Sequence, residues 1–144
     1  MRFAYPVELV HDAKSREVLI RFPDVPEALT SGRDEAEALR EAEDALIAAL
    51  GGYLIARRQV PRPSSLRTGQ RLVALPALVA AKLALHEAMR DVGMSNIALA
   101  KRLALSEGAV RRLLDLDHRS HIGQVERALG ALGRRLVVQD RDAA

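Results

Sequence analysis

The residues best placed by type and spacing to do chemistry are cations. Lys101-Arg102 and Arg111-Arg112 lie within the segment NIALAKRLALSEGAVRRLL, Asn96 to Leu114, and Arg119 follows just beyond it. A guanidinium offers paired N–H donors that match a guanine edge or a phosphate, and an ammonium offers a compact charge for phosphate. Isolated pairs of this kind also form the ordinary solvated face of a helix. Their surroundings therefore decide the reading.

Those surroundings have the spacing of a helix-turn-helix, in which two short helices cross steeply around a tight turn. Ala100 is small where the second helix must cross. Ile97, Leu99, Leu103, Val110 and Leu113 are expected to fill the space between the helices, and Ser106 opens the second of them. Ala104 departs from the pattern, because the turn commonly has Gly there to permit a left-handed backbone, and a non-Gly residue costs about 1 kcal/mol. If the second helix enters a major groove, its N-terminal turns reach base edges. That points to Glu107, Arg111 and Arg112, with Ser106 at the helix start and Gly108 allowing close approach. Arg111 is the first choice for guanine. Asn96, Lys101, Arg102 and Arg119 are placed to hold phosphates, giving register and salt dependence rather than sequence choice.

Other chemistry finds less support. His118 and His121 stand near Asp115 and Asp117, but the cluster lies between two expected helices and reads more simply as a loop and helix cap than as a zinc site. His11 and His86 are solitary and expected to be exposed or locally bonded. The chain has no Cys, which excludes disulfides, thiolate metal sites and cysteine nucleophiles. No nucleophile-base pair, phosphate-binding loop or dinucleotide-binding glycine pattern is evident. No catalytic residue, metal or cofactor is expected.

Helical periodicity places the elements around this segment. Four helical patterns, Ala77 to Val92, Asn96 to Leu103, Glu107 to Leu114 and Gly123 to Leu132, are bounded by Gly93, by Ser95 or Asn96, by Ser106 and by Gly133. Arg134 to Val138 is β-branched enough to form a terminal strand before a polar tail. Upstream, Tyr5 to Val10 and Glu17 to Phe22 alternate as strands, Glu27 to Ser31 is a short third strand ended by Gly32, and an antiparallel meander is the simplest arrangement. From Arg33 the period becomes helical, with Ala36, Leu39, Ala42, Leu46, Ala49, Leu50 and Tyr53 on one face and Gly51-Gly52 where the helix could fray or end. Residues 57–70 read as a connector, and Leu72 to Leu75 as a last strand before Pro76. The expected fold is α+β, with a β-β-β-α-β module over residues 1–75 and an all-α helix-turn-helix domain over 76–144.

At 144 residues the chain suits one ordinary domain or two small ones. It is 49% hydrophobic and 28% charged, a soluble globular composition, and its 2 Tyr, 2 Phe and absent Trp disfavour aromatic platforms for single-stranded nucleic acid. No leader-like apolar segment opens the sequence and no run approaches a membrane span, so a cytoplasmic protein without a membrane partner is expected. The net charge of +3 hides three unlike regions: residues 1–50 hold 6 Lys+Arg against 11 Asp+Glu, residues 51–75 hold 5 Arg and no acid, and residues 76–144 hold 11 against 8. An acidic front and a basic rear suggest modules with different partners.

Read in order, YPVEL, FPDVPEALTSG, the acidic EAEALREAEDALIAAL, VPRPS, LPALVAAKLALHEAM and the helix-turn-helix ending in ALGRRLVV resemble the HicB family of antitoxins across almost the whole chain. The resemblance implies a first module like a partial ribonuclease H fold, a DNA-binding second domain that represses its own operon, and a HicA-type toxin, a small basic ribonuclease, as partner. Two-metal cleavage would need acids converging on ions roughly 4 Å apart. Glu8, Glu17 and Asp24 form no clear set on one sheet face, so a binding scaffold is expected and an enzyme is not.

An acidic module would be drawn to a cationic ribonuclease. Asp24, Glu37, Glu41 and Asp44 are the candidate toxin-contact residues, against the alternative that they are solvated surface. Operator binding implies a homodimer or higher homo-oligomer. Leu129, Leu132, Leu136, Val137 and Val138 either form that contact or complete the domain's own core. The rival reading is a stand-alone helix-turn-helix regulator whose first module senses a small ligand.

Overall fold

The computed structural model describes residues 3–142, so the outermost residues of both expected modules lie outside it. The chain is an α+β protein whose described residues divide into two compact units, 3–75 and Pro76–Asp142. In the first, β1 (Ala4–His11), β2 (Val18–Arg21), β3 (Leu29–Gly32), α1 (Glu35–Ile55) and β4 (Arg71–Ala74) follow in order. The second holds α2 (Ala77–Val92), α3 (Asn96–Leu103), α4 (Glu107–Leu114) and α5 (Ile122–Ala131).

The sheet of the first unit is antiparallel throughout, in the order β3-β2-β1-β4. Strands β1 to β3 form the expected meander, and β4 returns to the free edge of β1. The first half of β1 pairs with β4, Ala4 opposite Ala74, and its second half pairs with β2, Glu8 opposite Arg21. Alternation sends Tyr5, Val7, Val18 and Ile20 into the core, as the two-residue period of a strand requires. Helix α1 covers the sheet with Ala38, Ala42, Leu46, Leu50 and Tyr53.

That buried stripe is rotated from the expected one: Ala36 is exposed and Ala38 is buried. Gly32 is the cause. A Cβ there would stand 2.4 Å from Ala38 N and 2.8 Å from Ala38 Cα, so the end of β3 and the first turn of α1 meet backbone to backbone. The helix also runs through Gly51-Gly52 instead of ending there. Leu50 and Tyr53 are buried on either side of the glycines, and Tyr53 Oη donates to Glu27 Oε2 at 2.8 Å, so tertiary anchoring outweighs the weak propensity. The connector after α1 lacks regular structure but is fastened to its own unit: Tyr5 Oη donates to Pro61 O at 2.8 Å, and Ser64 N and Oγ each donate to Asp24 Oδ2 at 2.9 Å.

In the second unit one core joins all four helices, through Leu85 and Met89 of α2, Leu99 and Leu103 of α3, Val110 and Leu113 of α4, and Val125 and Leu129 of α5. Two expectations fail here. Ile97 does not fill the space between helices; it is 57% exposed, because the buried stripe of α3 runs through Leu99, Ala100 and Leu103. Arg134 to Val138 is not a strand. Among the described residues of this all-helical unit there is no strand edge to pair with. The segment is tied down by the Arg134–Asp91 ion pair and by Leu136 against the core, while Val137 and Val138 stay exposed.

The two kinds of glycine in the first unit give opposite expectations. Gly32→Ala forces a Cβ into immovable backbone and is expected to cost about 1–3 kcal/mol. Gly52→Ala, exposed within α1 with nothing within 4 Å of its Cβ position, is expected to add about 0.5–1 kcal/mol. Urea unfolding midpoints check both. A tolerated Gly32→Ala would show that α1 docks on the sheet in some other way.

Candidate nucleic-acid interface

Helices α3 and α4 are eight residues each, too short to persist alone, so their ends must be held. Ser95 caps α3 by accepting from Ala98 N, and Ser106 caps α4 by accepting from Ala109 N, both at 3.1 Å. Between them Ala104 takes φ 55°, ψ 42°, with Leu105 N bonded to Ala100 O at 2.9 Å and Ala104 N to Lys101 O at 3.3 Å. This paired closure normally employs glycine. The alanine adopts the left-handed turn regardless, at the cost of about 1 kcal/mol expected for its Cβ.

The caps set the first turn of α4, which carries Glu107 and Gly108; Arg111 and Arg112 follow in its last turn. Glu107, Arg111 and Arg112 are exposed and Gly108 is half-buried. A Cβ at Gly108 would lie 3.6 Å from Arg112 Nη1, 3.8 Å from Arg111 Nη2 and 4.0 Å from Ser106 Oγ. The two guanidiniums therefore fold back over the glycine toward the helix N-terminus. Their charges gather where the exposed N–H groups of the first turn already favour an anion.

The remaining candidates separate by how far they are committed within the chain. Lys101, Arg111, Arg112 and Arg119 are exposed and make no ion pair among the described residues. Asn96 is half-buried at the first position of α3. Arg102 is already engaged, its Nη1 donating to Ala131 O at 3.2 Å, which ties α3 to the end of α5. Ser106 is occupied as a cap. Asp115 Oδ1 accepts from Asp117 N, and His118 Nδ1 lies 3.0 Å from Ser120 Oγ, so this His/Asp cluster is organised as a loop. No group of three or more potential metal ligands occurs among the described residues.

The far end of α4 is held by Lys82, which sequence reasoning passed over, and by His86, which is neither exposed nor locally bonded as expected: it is half-buried and its partner lies 28 residues away. Lys82, fully buried on α2, donates from Nζ to the carbonyls of Arg112, Asp115 and His118 at 3.0, 2.6 and 2.7 Å and to Ser120 Oγ at 2.9 Å. His86, one turn further along α2, donates from Nε2 to Leu114 O at 2.7 Å. Together they satisfy carbonyls that an α-helix leaves without partners at its C-terminus. Burial pushes the Lys82 ammonium down from the usual lysine range, with Asp115's charge opposing. The readable signal was a lysine on the apolar stripe of α2, three residues before Leu85 and seven before Met89.

In the first unit the four candidate acids also divide. Asp24 is bonded to Ser64 of the connector, and Glu37 accepts from Arg33 Nε at 2.9 Å. Glu41 and Asp44 are exposed on α1 and unpaired among the described residues. Two cations after α1 pair with acids of the same unit, Arg71 of β4 with Glu35 at 3.1 Å and Arg58 of the connector with Glu27 at 3.7 Å.

Comparison with known proteins connects these features. Residues 4–84 match the family described as HicB-like antitoxin of bacterial toxin-antitoxin system. The chain is 40% identical over 132 residues to antitoxin HicB 2 of Photorhabdus laumondii, covering 92% of each. It is 35% identical to antitoxin HicB of Escherichia coli K12 over 92% of this chain and 95% of that one. It is also 36% identical to antitoxin HicB of Pseudomonas fluorescens Pf0-1 over 94% and 92%.

His86 gives the second unit a pH dependence of defined sign. Burial holds its imidazole below the ordinary value; the Leu114 carbonyl opposes this and the Lys82 charge adds to it. The unfolded chain therefore takes up a proton that the folded one resists. Stability from neutral His86 is whole above about pH 6.5 and is lost as pH falls through its lowered folded value. The full chain is expected to melt lower at pH 5.5 than at pH 7.5, and less so as His86→Gln, whose amide can still donate. An equal fall in both proteins removes His86 as the cause.

Proposed function

The chain belongs to the HicB-like antitoxin family, and from that premise we propose that it binds and masks a HicA-type ribonuclease toxin and represses its own operon through operator DNA. The second unit is the DNA-binding part. One observation carries this: the guanidiniums of Arg111 and Arg112 converge over Gly108 on the capped first turn of α4, exposed and unpaired. The α3–turn–α4 geometry, with its left-handed closure at Ala104 and small Ala100 at the crossing, supports a helix-turn-helix in which α4 enters the major groove.

In this reading Arg111, Arg112 and Glu107 face base edges, while Lys101, Arg119 and Asn96 hold phosphates. Arg102 and Ser106 act chiefly by fixing the helices that present the others. Operator recognition employs two copies, with half-sites 34–36 Å apart. Because Leu129 is buried and Leu132 and Leu136 pack on their own core, exposed Val137 and Val138 are left as the candidates for the dimer contact.

The first unit is the toxin-binding part, a ribonuclease H-like architecture kept as a scaffold. Glu8 is paired with Arg21 at 2.9 Å and Asp24 with the connector, which argues against a converged catalytic set. Glu41 and Asp44, exposed on α1, are the favoured acids to face a cationic toxin, ahead of Asp24 and Glu37. In this reading the protein acts in the cytoplasm. Among the described residues no helix is long and apolar enough to cross a membrane.

Titrating a duplex from the DNA upstream of the gene tests the second unit. Arg111→Ala is expected to cost about 1–3 kcal/mol and relax one operator position, whereas Lys101→Ala weakens all sequences alike. Equal effects at both positions would undo the assigned roles. For the first unit, the charge reversals Glu41→Lys and Asp44→Lys together are expected to weaken association with the neighbouring toxin and flatten its salt dependence. Unchanged affinity would move the toxin contact off α1.

A further inference from the structure

Lys82 is the one buried charged side chain among the described residues, and no carboxylate oxygen is among its four bonding partners. An ammonium has three protons to share among them, and its charge is met by carbonyl dipoles, including the negative end of α4. An apolar side chain of similar length could fill the space, but it would leave those carbonyls without their donor. What an apolar side chain cannot do is draw three backbone carbonyls to one point.

Those carbonyls come from two places. Arg112 O belongs to the last turn of α4, whereas Asp115 O, His118 O and Ser120 Oγ belong to the loop after it. Ser120 Oγ donates in turn to Arg112 O at 3.2 Å, and Ser120 N to His118 O at 2.9 Å. Arg119 stands between His118 and Ser120. Both of its neighbours are held by the same buried ammonium while its own side chain is exposed.

We propose that Lys82 is a positioning residue for DNA binding: it joins the loop that carries Arg119 to the helix that carries Arg111 and Arg112, so that three cations meet the duplex as one preorganised set. The inference rests on the DNA-binding reading above. A loop already ordered before binding loses less freedom when its arginine meets a phosphate. Lys82 acts through Arg119 and touches no DNA itself.

The test is a double-mutant cycle in the full chain, with a duplex from the DNA upstream of the gene and a temperature at which circular dichroism shows every variant folded. Lys82→Met is expected to weaken binding about tenfold, as Arg119→Ala does, and each is expected to reduce the salt slope by about 0.9. Combined, the two changes are expected to be no worse than either alone. A merely stabilising lysine would lower the melting temperature without moving the salt slope, and its effect would add to that of Arg119→Ala. Either result overturns the proposal. If Lys82→Met does not fold, Ser120→Ala, which removes one of the four partners, is to show a smaller loss with the same non-additivity. Additivity there overturns the proposal equally. Wild-type protein that ignores the upstream duplex would sink the DNA-binding reading itself, whereas wild-type binding with an additive cycle would sink only the role of Lys82.

Discussion

An eight-residue helix cannot hold itself together in water, and the second unit is built around that constraint. Two such helices, α3 and α4, carry most of its exposed functional candidates. Each gains an N-terminal serine cap worth about 1 kcal/mol, but caps alone do not fix direction. Direction comes from burying Leu99, Leu103, Val110 and Leu113 against α2 and α5, and from α2 reaching across to bond the carbonyls at the end of α4. The exposed face of α4 is thus free of structural duty. Its arginines need no partner inside the protein, because everything that orients the helix lies behind or beyond them.

The same division of duty separates the charges of the first unit. Its acidic first 50 residues and the five arginines that follow cancel in sum, so net charge says nothing about what the unit attracts. Placement does. Arg58 and Arg71 are drawn onto Glu27 and Glu35, and Asp24 fastens the connector through Ser64, while Glu41 and Asp44 on α1 are left facing solvent. A cationic partner senses those unpaired carboxylates within a Debye length of about 8–10 Å, not the total over the unit. An acid such as Asp24, already bonded, has less to offer that partner than its formal charge suggests.

Periodicity made most of the architecture legible: the strands, α1 and the four later helices lie within a few residues of where the pattern of apolar side chains puts them. Serine caps and glycine stops made their ends legible too. What stayed hidden depended on partners distant in sequence. The path of α1 through two glycines is held by Tyr53 and Glu27, which are 26 residues apart. The rotation of its buried face follows from a backbone approach at Gly32 that no pattern encodes. Arg134 to Val138 has the composition of a strand, but a strand needs an edge, and its own unit offers none among the described residues. Of the site, the exposed cations were legible from the helix-turn-helix spacing. Arg102's engagement with α5 and the clamp formed by Lys82 and His86 were not, because both join residues about 30 apart.

In the proposed reading, two partners of opposite charge would place a demand on this chain that neither alone would. DNA is a polyanion and a ribonuclease must present positive charge to its substrate, so a surface that attracts one repels the other. One patch of mixed sign would serve both poorly, since each ion pair formed inside the protein withdraws a group from recognition. The chain avoids this along its length: acids are left unpaired on α1, cations are left unpaired around α4, and the groups that must sit near an opposite charge for structural reasons are neutralised locally. Lys82 carries that logic to its limit. In that reading its charge is hidden from both partners and met by backbone dipoles and by Asp115, so it would order the cationic face without adding to it.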